Sequence, residues 1–302
     1  MLDGVLFFPV TPFSADGAVD PGVLAEHLRQ GLAAGPGGIF AACGTGEFHA
    51  LSPEEYQEVV ATAVKEADHR VPVFAGCGGP LPTAVRLARL ARDVGADGLL
   101  LMPPYLVAGP PAGLIAYTEA VAAATALPVI VYQRGSVVFD PDSAVTVAAL
   151  PTVVGFKDGL GDLDRLGQIV SAVRAAHPDK PFQFFNGMPT AEATVPSYRA
   201  IGVELWSSAA FCFAPEVSMA FYRAVTSGDV EAERRLLAEF FYPLTRLRAK
   251  VPGYAVSLVK AGVKLRGLDA GSVRPPLVDP SPEHTDELRA ILVAGLKAVG
   301  AA

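Results

Sequence analysis

The sequence predicts an α/β fold of the (β/α)8 barrel type, followed by a C-terminal helical extension. The 302 residues are 51% hydrophobic and 18% charged, a composition that favours a large buried core and excludes a disordered chain. Eight short apolar runs alternate with longer amphipathic segments. The runs comprise residues 4–10, 38–42, 72–76, 97–101, 128–132, 153–157, 182–186 and 203–208.

The eight runs are rich in Val, Ile, Leu and Phe, which is typical of strands buried on both faces of a parallel sheet. Their starts are separated by roughly 20 to 35 residues, the length of one strand–helix unit. Eight such units close into a barrel. An open doubly wound sheet is the alternative, but residues 10–13 after the first run contain no glycine and therefore no dinucleotide-binding fingerprint.

The segments between the runs carry helix start signals. Ser52 precedes Pro53 and Glu55 in a capping box, and Asp20, Asp140 and Ser281 each precede a proline in the same way. After residue 227 the pattern changes, because residues 229–250, 254–267 and 281–299 have helical periodicity and no strand is evident. We therefore expect a catalytic barrel over residues 1–227 and a helical extension over residues 228–302 that packs on it.

Composition also limits the partners. The net charge is −7 and no basic stripe is present, so nucleic acid is not an expected partner. No apolar stretch approaches membrane-span length, and the first residues lack the basic region of a secretory signal. Three cysteines at distant positions favour free thiols in a reducing compartment, and the five histidines lack zinc-site spacing. We expect a cytoplasmic protein without membrane, metal or cofactor.

Lys157 is the strongest candidate for a catalytic residue. It ends the apolar run 153–157, whereas the other six lysines lie in helical or turn contexts where we expect the ammonium groups to reach water. If Lys157 points into the barrel, the low-dielectric interior lowers its pKa and makes it a nucleophile toward a ketone or aldehyde. An exposed lysine at a strand end is the alternative interpretation.

Other candidates also follow the ends of strands, where barrels place their active sites. Tyr132 could move protons, Arg134 suits a carboxylate, and the turn of Gly44, Thr45 and Gly46 could bind an anion through its amides and hydroxyl. Three polar residues could contact substrate hydroxyls: Asn186, Ser207 and Ser208. Taken singly, each pattern has a structural explanation: packing for Tyr132, a surface position for Arg134, a tight turn for residues 44–46 and solvated loops for the three polar residues.

Taken together, these motifs resemble the dihydrodipicolinate synthase / N-acetylneuraminate lyase superfamily. The likeness covers nearly the whole chain, and its specific part is the order Gly-Thr-Gly-Glu after strand two, Tyr132 after strand five and Lys157 after strand six. The resemblance implies that Lys157 forms an imine with an α-keto acid, that Tyr132 relays protons, and that Thr45 with neighbouring amides holds the keto-acid carboxylate. It also implies a homo-oligomer, commonly a tetramer, in which Tyr105 could cross into a neighbouring site.

The segments 43–51, 131–134, 155–158 and 206–211 look like the branch of 5-dehydro-4-deoxyglucarate dehydratases within that superfamily. Gly44 stands where synthases usually carry the first threonine of their relay, and the loop after Tyr132 is short; both departures argue against lysine biosynthesis. The expected activity is a cofactor-free lyase of sugar-acid catabolism that dehydrates and decarboxylates 5-dehydro-4-deoxy-D-glucarate, with Arg134 or Ser207 and Ser208 at the distal carboxylate. A pyruvate-dependent aldolase or synthase is the first alternative to this activity, and a barrel that binds a keto acid without catalysis is the second.

Overall fold

The computed structural model describes residues 1–104 and 107–301 and shows eight parallel strands closed into a barrel. Each strand pairs with its neighbour in sequence, and β8 pairs with β1. The strands are β1 (Leu6–Phe7), β2 (Gly38–Ala41), β3 (Val73–Cys77), β4 (Gly98–Leu101), β5 (Val129–Gln133), β6 (Val153–Asp158), β7 (Gln183–Asn186) and β8 (Leu205–Ser208). The predicted (β/α)8 fold is confirmed, although β1 is shorter than the apolar run that contains it.

A helix follows each strand and covers the outside of the barrel. These helices are α1 (Pro21–Ala33), α2 (Pro53–Ala67), α3 (Leu81–Asp93), α4 (Pro111–Ala122), α5 (Pro141–Ala148), α6 (Leu163–Ala176), α7 (Val195–Ala200) and α8 (Pro215–Ser227). The capping box of α2 forms as predicted, with the Ser52 hydroxyl accepting from the amide of Glu55 at 3.1 Å and the Glu55 carboxylate accepting from the amide of Ser52 at 2.9 Å.

The pairing register decides which side chains enter the barrel. Lys157 on β6 pairs with Tyr132 on β5 and Phe185 on β7, and alternation along a strand sends its neighbour Asp158 toward the outer helices. Stacked phenylalanines pack in the barrel interior beside Lys157: the ring of Phe40 on β2 is 4.5 Å from that of Phe8, which follows β1, and 5.2 Å from that of Phe74 on β3, between centroids. The barrel interior is therefore a packed core, as in other barrels of this type.

Residues beyond α8 form further helices that pack against one side of the barrel. They are α9 (Val230–Leu236), α10 (Tyr242–Arg248), α11 (Tyr254–Leu265) and α12 (Pro282–Ala298), with a π-helical turn at Leu237–Phe241 between α9 and α10. The sequence predicted one helical segment over 229–250, and residues 230–248 are continuously helical. The π-helical turn lies within them, because Pro243 cannot donate an amide hydrogen bond and its ring crowds the preceding turn.

Aromatic contacts join these helices to the barrel. The rings of Phe241 and Phe221 lie 4.9 Å apart between centroids, and a single apolar cluster includes both extension residues and the barrel residues Val10 and Trp206. The division of the chain at residue 227 stays a prediction, since this shared core crosses it. Among the helices of the described ranges, none combines the length and apolar character needed to cross a bilayer.

Candidate active site

A cavity of about 410 Å³ opens at the carboxyl ends of the strands. Its floor is formed by side chains close to the carboxyl ends of strands, among them Phe8, Tyr132 and Lys157, and one wall is formed by α10 and α11 of the C-terminal extension. Barrel enzymes place their chemistry at this end. The cavity is therefore the candidate active site, and most of the residues predicted from the sequence line it.

Lys157 lies on the floor of the cavity with only 5% of its surface exposed. Its Nζ atom is 4.2 Å from the ring centroid of Phe8 and 4.7 Å from that of Tyr132. Burial, with a smaller contribution from the nearby charge of Arg134, lowers the pKa of Lys157 to about 7. A substantial fraction of the amine is therefore uncharged, and nucleophilic, at neutral pH.

The neighbouring thiol does not offset this effect at neutral pH. Burial raises the pKa of Cys43 to about 12, so the thiol carries no negative charge that could hold Lys157 in its ammonium form. Within residues 1–104 and 107–301, no carboxylate forms an ion pair with Lys157. The lysine thus has apolar and aromatic surroundings, as a Schiff-base amine requires.

Tyr132 lies beside Lys157 on the adjacent strand, and its phenol donates a hydrogen bond to the carbonyl of Gly187 at 2.9 Å. Burial raises the pKa of Tyr132, so the phenol keeps its proton at neutral pH. A Cβ atom at position 187 would lie 2.6 Å from Cε of Lys157 and 2.8 Å from Cε2 of Tyr132. Gly187 therefore allows the two side chains to meet at this point.

The turn after β2 brings two of its three predicted binding residues to the cavity. Gly44 and Thr45 line it, whereas Gly46 lies below, where its carbonyl accepts a hydrogen bond from the Thr11 hydroxyl at 2.7 Å. In the described part of the chain, no acceptor is bonded to the amides of Gly44 and Thr45. Nη1 of Arg134 lies 3.9 Å from the position of a Cβ at Gly44, so amides and guanidinium can converge on one anion.

Of the three polar residues predicted on β7 and β8, only Ser207 lines the cavity. Asn186 pairs with Asp158, so both side chains point outward, and the Asn186 amide donates to the carbonyl of Ala191 at 3.0 Å. Ser208 also points outward and donates to the carboxylate of Glu192 at 2.5 Å. The structure thus does not bring Asn186 and Ser208 to the cavity, because strand alternation places them on the opposite face from Lys157.

The prediction that the six other lysines reach water is wrong for Lys260. This residue is 2% exposed, and its Nζ is 2.8 Å from Oε1 of Glu47, which is fully buried. The second carboxylate oxygen of Glu47 accepts from the amide of Arg274 at 2.8 Å. The glutamate that ends the Gly-Thr-Gly-Glu motif therefore ties the turn after β2 to α11 and to the segment before α12.

Two functional features carry no sequence signal that strand patterns could detect. Arg248, the last residue of α10, lines the cavity although it lies far along the chain from every strand. Behind Lys157, Asp158 accepts hydrogen bonds from Gln133 at 2.7 Å and from Tyr198 at 2.5 Å, which fixes the end of β6. Tyr105, predicted to cross between subunits, lies outside the described residues.

The chain is similar to known proteins along most of its length. The model of the family described as the dihydrodipicolinate synthetase family matches residues 1–295. A protein of Streptomyces coelicolor named probable 5-dehydro-4-deoxyglucarate dehydratase 1 is 56% identical over 292 residues, which is 97% of this chain and 92% of that protein.

Solved structures of the same kind superpose closely. A dihydrodipicolinate synthase from Bacillus clausii has a TM-score of 0.89 at 27% identity and covers 97% of each chain. A prophage protein of the dihydrodipicolinic acid synthase family from E. coli K12, solved in complex with pyruvate, has a TM-score of 0.87 at 26% identity and covers 100% of each chain. Both fold and sequence therefore agree with the resemblance that the motifs predicted.

Proposed function

The chain belongs to the dihydrodipicolinate synthetase family, and we propose that it dehydrates and decarboxylates 5-dehydro-4-deoxy-D-glucarate to 2,5-dioxopentanoate, water and CO2. Three relatives named as probable dehydratases of this substrate are 54–56% identical to it over 292 residues. The enzyme is a lyase that uses an imine on its own lysine.

The charge of the cavity is the observation that carries this proposal. Lys157, Arg134 and Arg248 line it, and none of the lining residues in the described ranges is an aspartate or a glutamate. The substrate carries two carboxylates on a six-carbon chain, and a site with an imine-forming amine and two guanidinium groups complements that charge. Pyruvate, with one carboxylate, would leave one guanidinium without a partner.

The reaction begins when the uncharged amine of Lys157 attacks the C5 ketone. Tyr132 lies against Lys157 and carries the proton needed by the departing oxygen, which leaves as water when the imine forms. The amides of Gly44 and Thr45 hold the adjacent keto-acid carboxylate. Arg134, which the sequence suggested for the distal carboxylate, is assigned to this group instead, because its Nη1 lies 3.9 Å from the position of a Cβ at Gly44. This placement orients the ketone toward Nζ.

The protonated imine then withdraws electrons from the neighbouring carbon. Loss of a C4 proton gives an enamine, which expels the C3 hydroxyl as water and leaves a conjugated imine. This imine accepts the electron pair released when the C1 carboxylate leaves as CO2. Protonation at C4 restores the imine, and the enol left at C2 and C3 becomes the aldehyde as C3 gains a proton and the C2 hydroxyl loses one. Hydrolysis of the imine then releases 2,5-dioxopentanoate and regenerates Lys157, so one substrate gives one CO2 and one net water.

Incubation with 5-dehydro-4-deoxy-D-glucarate, with CO2 and pyruvate measured in parallel, tests the reaction. We expect stoichiometric CO2 and no pyruvate, and borohydride reduction in the presence of substrate is expected to label Lys157 in peptide mass maps. Lys157→Ala should abolish both signals. Lys264→Ala is the matched control, because Lys264 is exposed on α11 and its one ion pair among the described residues is with the exposed Asp269.

Two outcomes would overturn the proposal. Release of pyruvate would identify an aldolase of the same family instead of a dehydratase. Turnover by Lys157→Ala at the wild-type rate would exclude the imine mechanism, whatever the product.

The quaternary structure and location also belong to this proposal. The family resemblance favours a cytoplasmic homo-oligomer, dimer or tetramer, with Tyr105 near a neighbouring site. The three cysteines are free thiols, which agrees with a reducing compartment. Sedimentation analysis of wild type and Tyr105→Ala, together with their activities, tests the assembly; a fully active monomer would contradict it.

A further inference from the structure

The cavity has two positively charged regions at different places in the fold. Arg134 belongs to the barrel and lies beside Gly44 at the turn after β2. Arg248 belongs to the extension and ends α10, whose Leu244 and Leu247 are buried in the extension's core. Since the first region suits the keto-acid carboxylate, the second is available to a different group of the substrate.

The Arg248 side chain is held by the loop after β7, the same loop that accepts a hydrogen bond from Tyr132. Its Nη1 donates to the carbonyl of Pro189, two residues after the Gly187 carbonyl that accepts the Tyr132 phenol. The guanidinium is half-buried and lines the cavity together with Leu244 of the same helix. A single backbone hydrogen bond leaves most of its five donors free for a ligand.

Arg248 also lacks a fixed counterion. Among the described residues it forms no ion pair, and Glu192, the carboxylate whose charge acts on it, does not line the cavity. Oε1 of Glu192 accepts from Ser208, and its Oε2 is buried without a hydrogen-bond partner. Burial raises the pKa of Glu192 to about 7, so this carboxylate is only partly charged at neutral pH.

We propose that Arg248 binds the second carboxylate of the substrate and thereby selects dicarboxylic over monocarboxylic keto sugar acids. This inference rests on the proposed function, and it makes the C-terminal extension part of substrate recognition. Arginine is suited to the task because its planar guanidinium can bind a carboxylate through two parallel hydrogen bonds.

The contact has a consequence for the kinetics. The second carboxylate leaves as neutral CO2, so its attraction to Arg248 is stronger in the bound substrate than in the decarboxylation transition state. Removing Arg248 therefore raises KM more than it lowers kcat. A residue that only supported the fold would lower the activity toward every ligand alike.

Borohydride trapping of the imine measures binding without requiring decarboxylation. The ligands are 5-dehydro-4-deoxy-D-glucarate, its monocarboxylic counterpart 2-dehydro-3-deoxy-D-gluconate, and pyruvate. For Arg248→Ala we expect the half-saturating concentration of the dicarboxylate to rise roughly 10- to 100-fold, the loss of one charge-assisted contact, with the other two ligands unchanged. Arg248→Lys should recover part of the loss.

Arg246→Ala is the matched control, because Arg246 is exposed on the same helix. Pyruvate trapping reports whether each variant is folded and retains a reactive Lys157. Equal trapping of the dicarboxylate by wild type and Arg248→Ala would overturn the inference, and so would a loss shared by all three ligands. If wild type formed no imine with the dicarboxylate but trapped pyruvate, the proposed function itself would be wrong.

Discussion

Gly187→Ala tests whether the close approach of Lys157 and Tyr132 is needed for catalysis. The added Cβ would lie 2.6 Å from Cε of Lys157, whereas carbon atoms pack at about 3.5–4.0 Å. The lysine must therefore move by roughly 1 Å, and the carbonyl of Asp158, 2.8 Å from the same Cβ, blocks an easy shift of the backbone. Misplacement of about 1 Å costs on the order of 100-fold in rate, or about 2.7 kcal/mol of transition-state stabilisation.

The assay is the steady-state kcat/KM for CO2 release, combined with the melting temperature. Gly167→Ala is the control, since it makes the same chemical change within α6 and its Cβ would meet only Ile201 at 3.8 Å. We expect the control to be fully active and stabilised by about 0.5–1 kcal/mol, because alanine favours a helix interior over glycine.

The result for Gly187→Ala refutes the reasoning if the variant retains more than about one-third of wild-type kcat/KM with an unchanged melting temperature. That outcome would mean that the lysine and tyrosine can separate without loss of function. A lower melting temperature with normal activity would indicate that the glycine serves packing alone.

Three further predictions concern the same site and its support. The kcat/KM profile should rise tenfold per pH unit below pH 7 and level above it, because the uncharged amine of Lys157 is the reactive form; a profile still rising above pH 9 would contradict the lowered pKa. Tyr132→Phe should slow turnover about 100-fold or more while borohydride still traps an imine, and wild-type turnover would remove the phenol from the proton relay. Lys260→Met leaves the Glu47 carboxylate buried without its cation, so we expect the free energy of unfolding measured in urea to fall by about 3–5 kcal/mol. Adding Glu47→Gln should restore part of this stability. A decrease below about 1 kcal/mol would show that the ion pair does not stabilise the fold.

The barrel could be predicted from the sequence because its signals are local. Apolar runs and capping residues act over a few residues, and the eight strands lie within or overlap the predicted runs while α2 begins at its predicted capping box. Alternation along β6 predicts that Lys157 shares a face with Val153 and Gly155, and the burial of its side chain shows that this face points into the barrel. The resemblance to a Schiff-base family rests on the same local motifs.

The orientation of Asn186 and Ser208 was not predictable by the same means. Phe184 and Phe185 on β7 are both apolar, as are Leu205 and Trp206 on β8, so alternation alone does not tell which face points inward. Pairing between neighbouring strands decides it. The register that aligns Phe185 with Lys157 sends Asn186 outward.

By itself, the sequence determined the repeating strand–helix units, the lysine that ends an apolar strand, and the tyrosine and glycine turn that accompany it. Only the tertiary structure decided the partners that lie far apart in the chain. It buries Lys260 against Glu47 across 213 positions and brings Arg248 from the extension to the cavity. The physical reason is that backbone conformation and periodic burial depend on neighbouring residues, whereas contacts between distant residues depend on how complete elements pack around a common core.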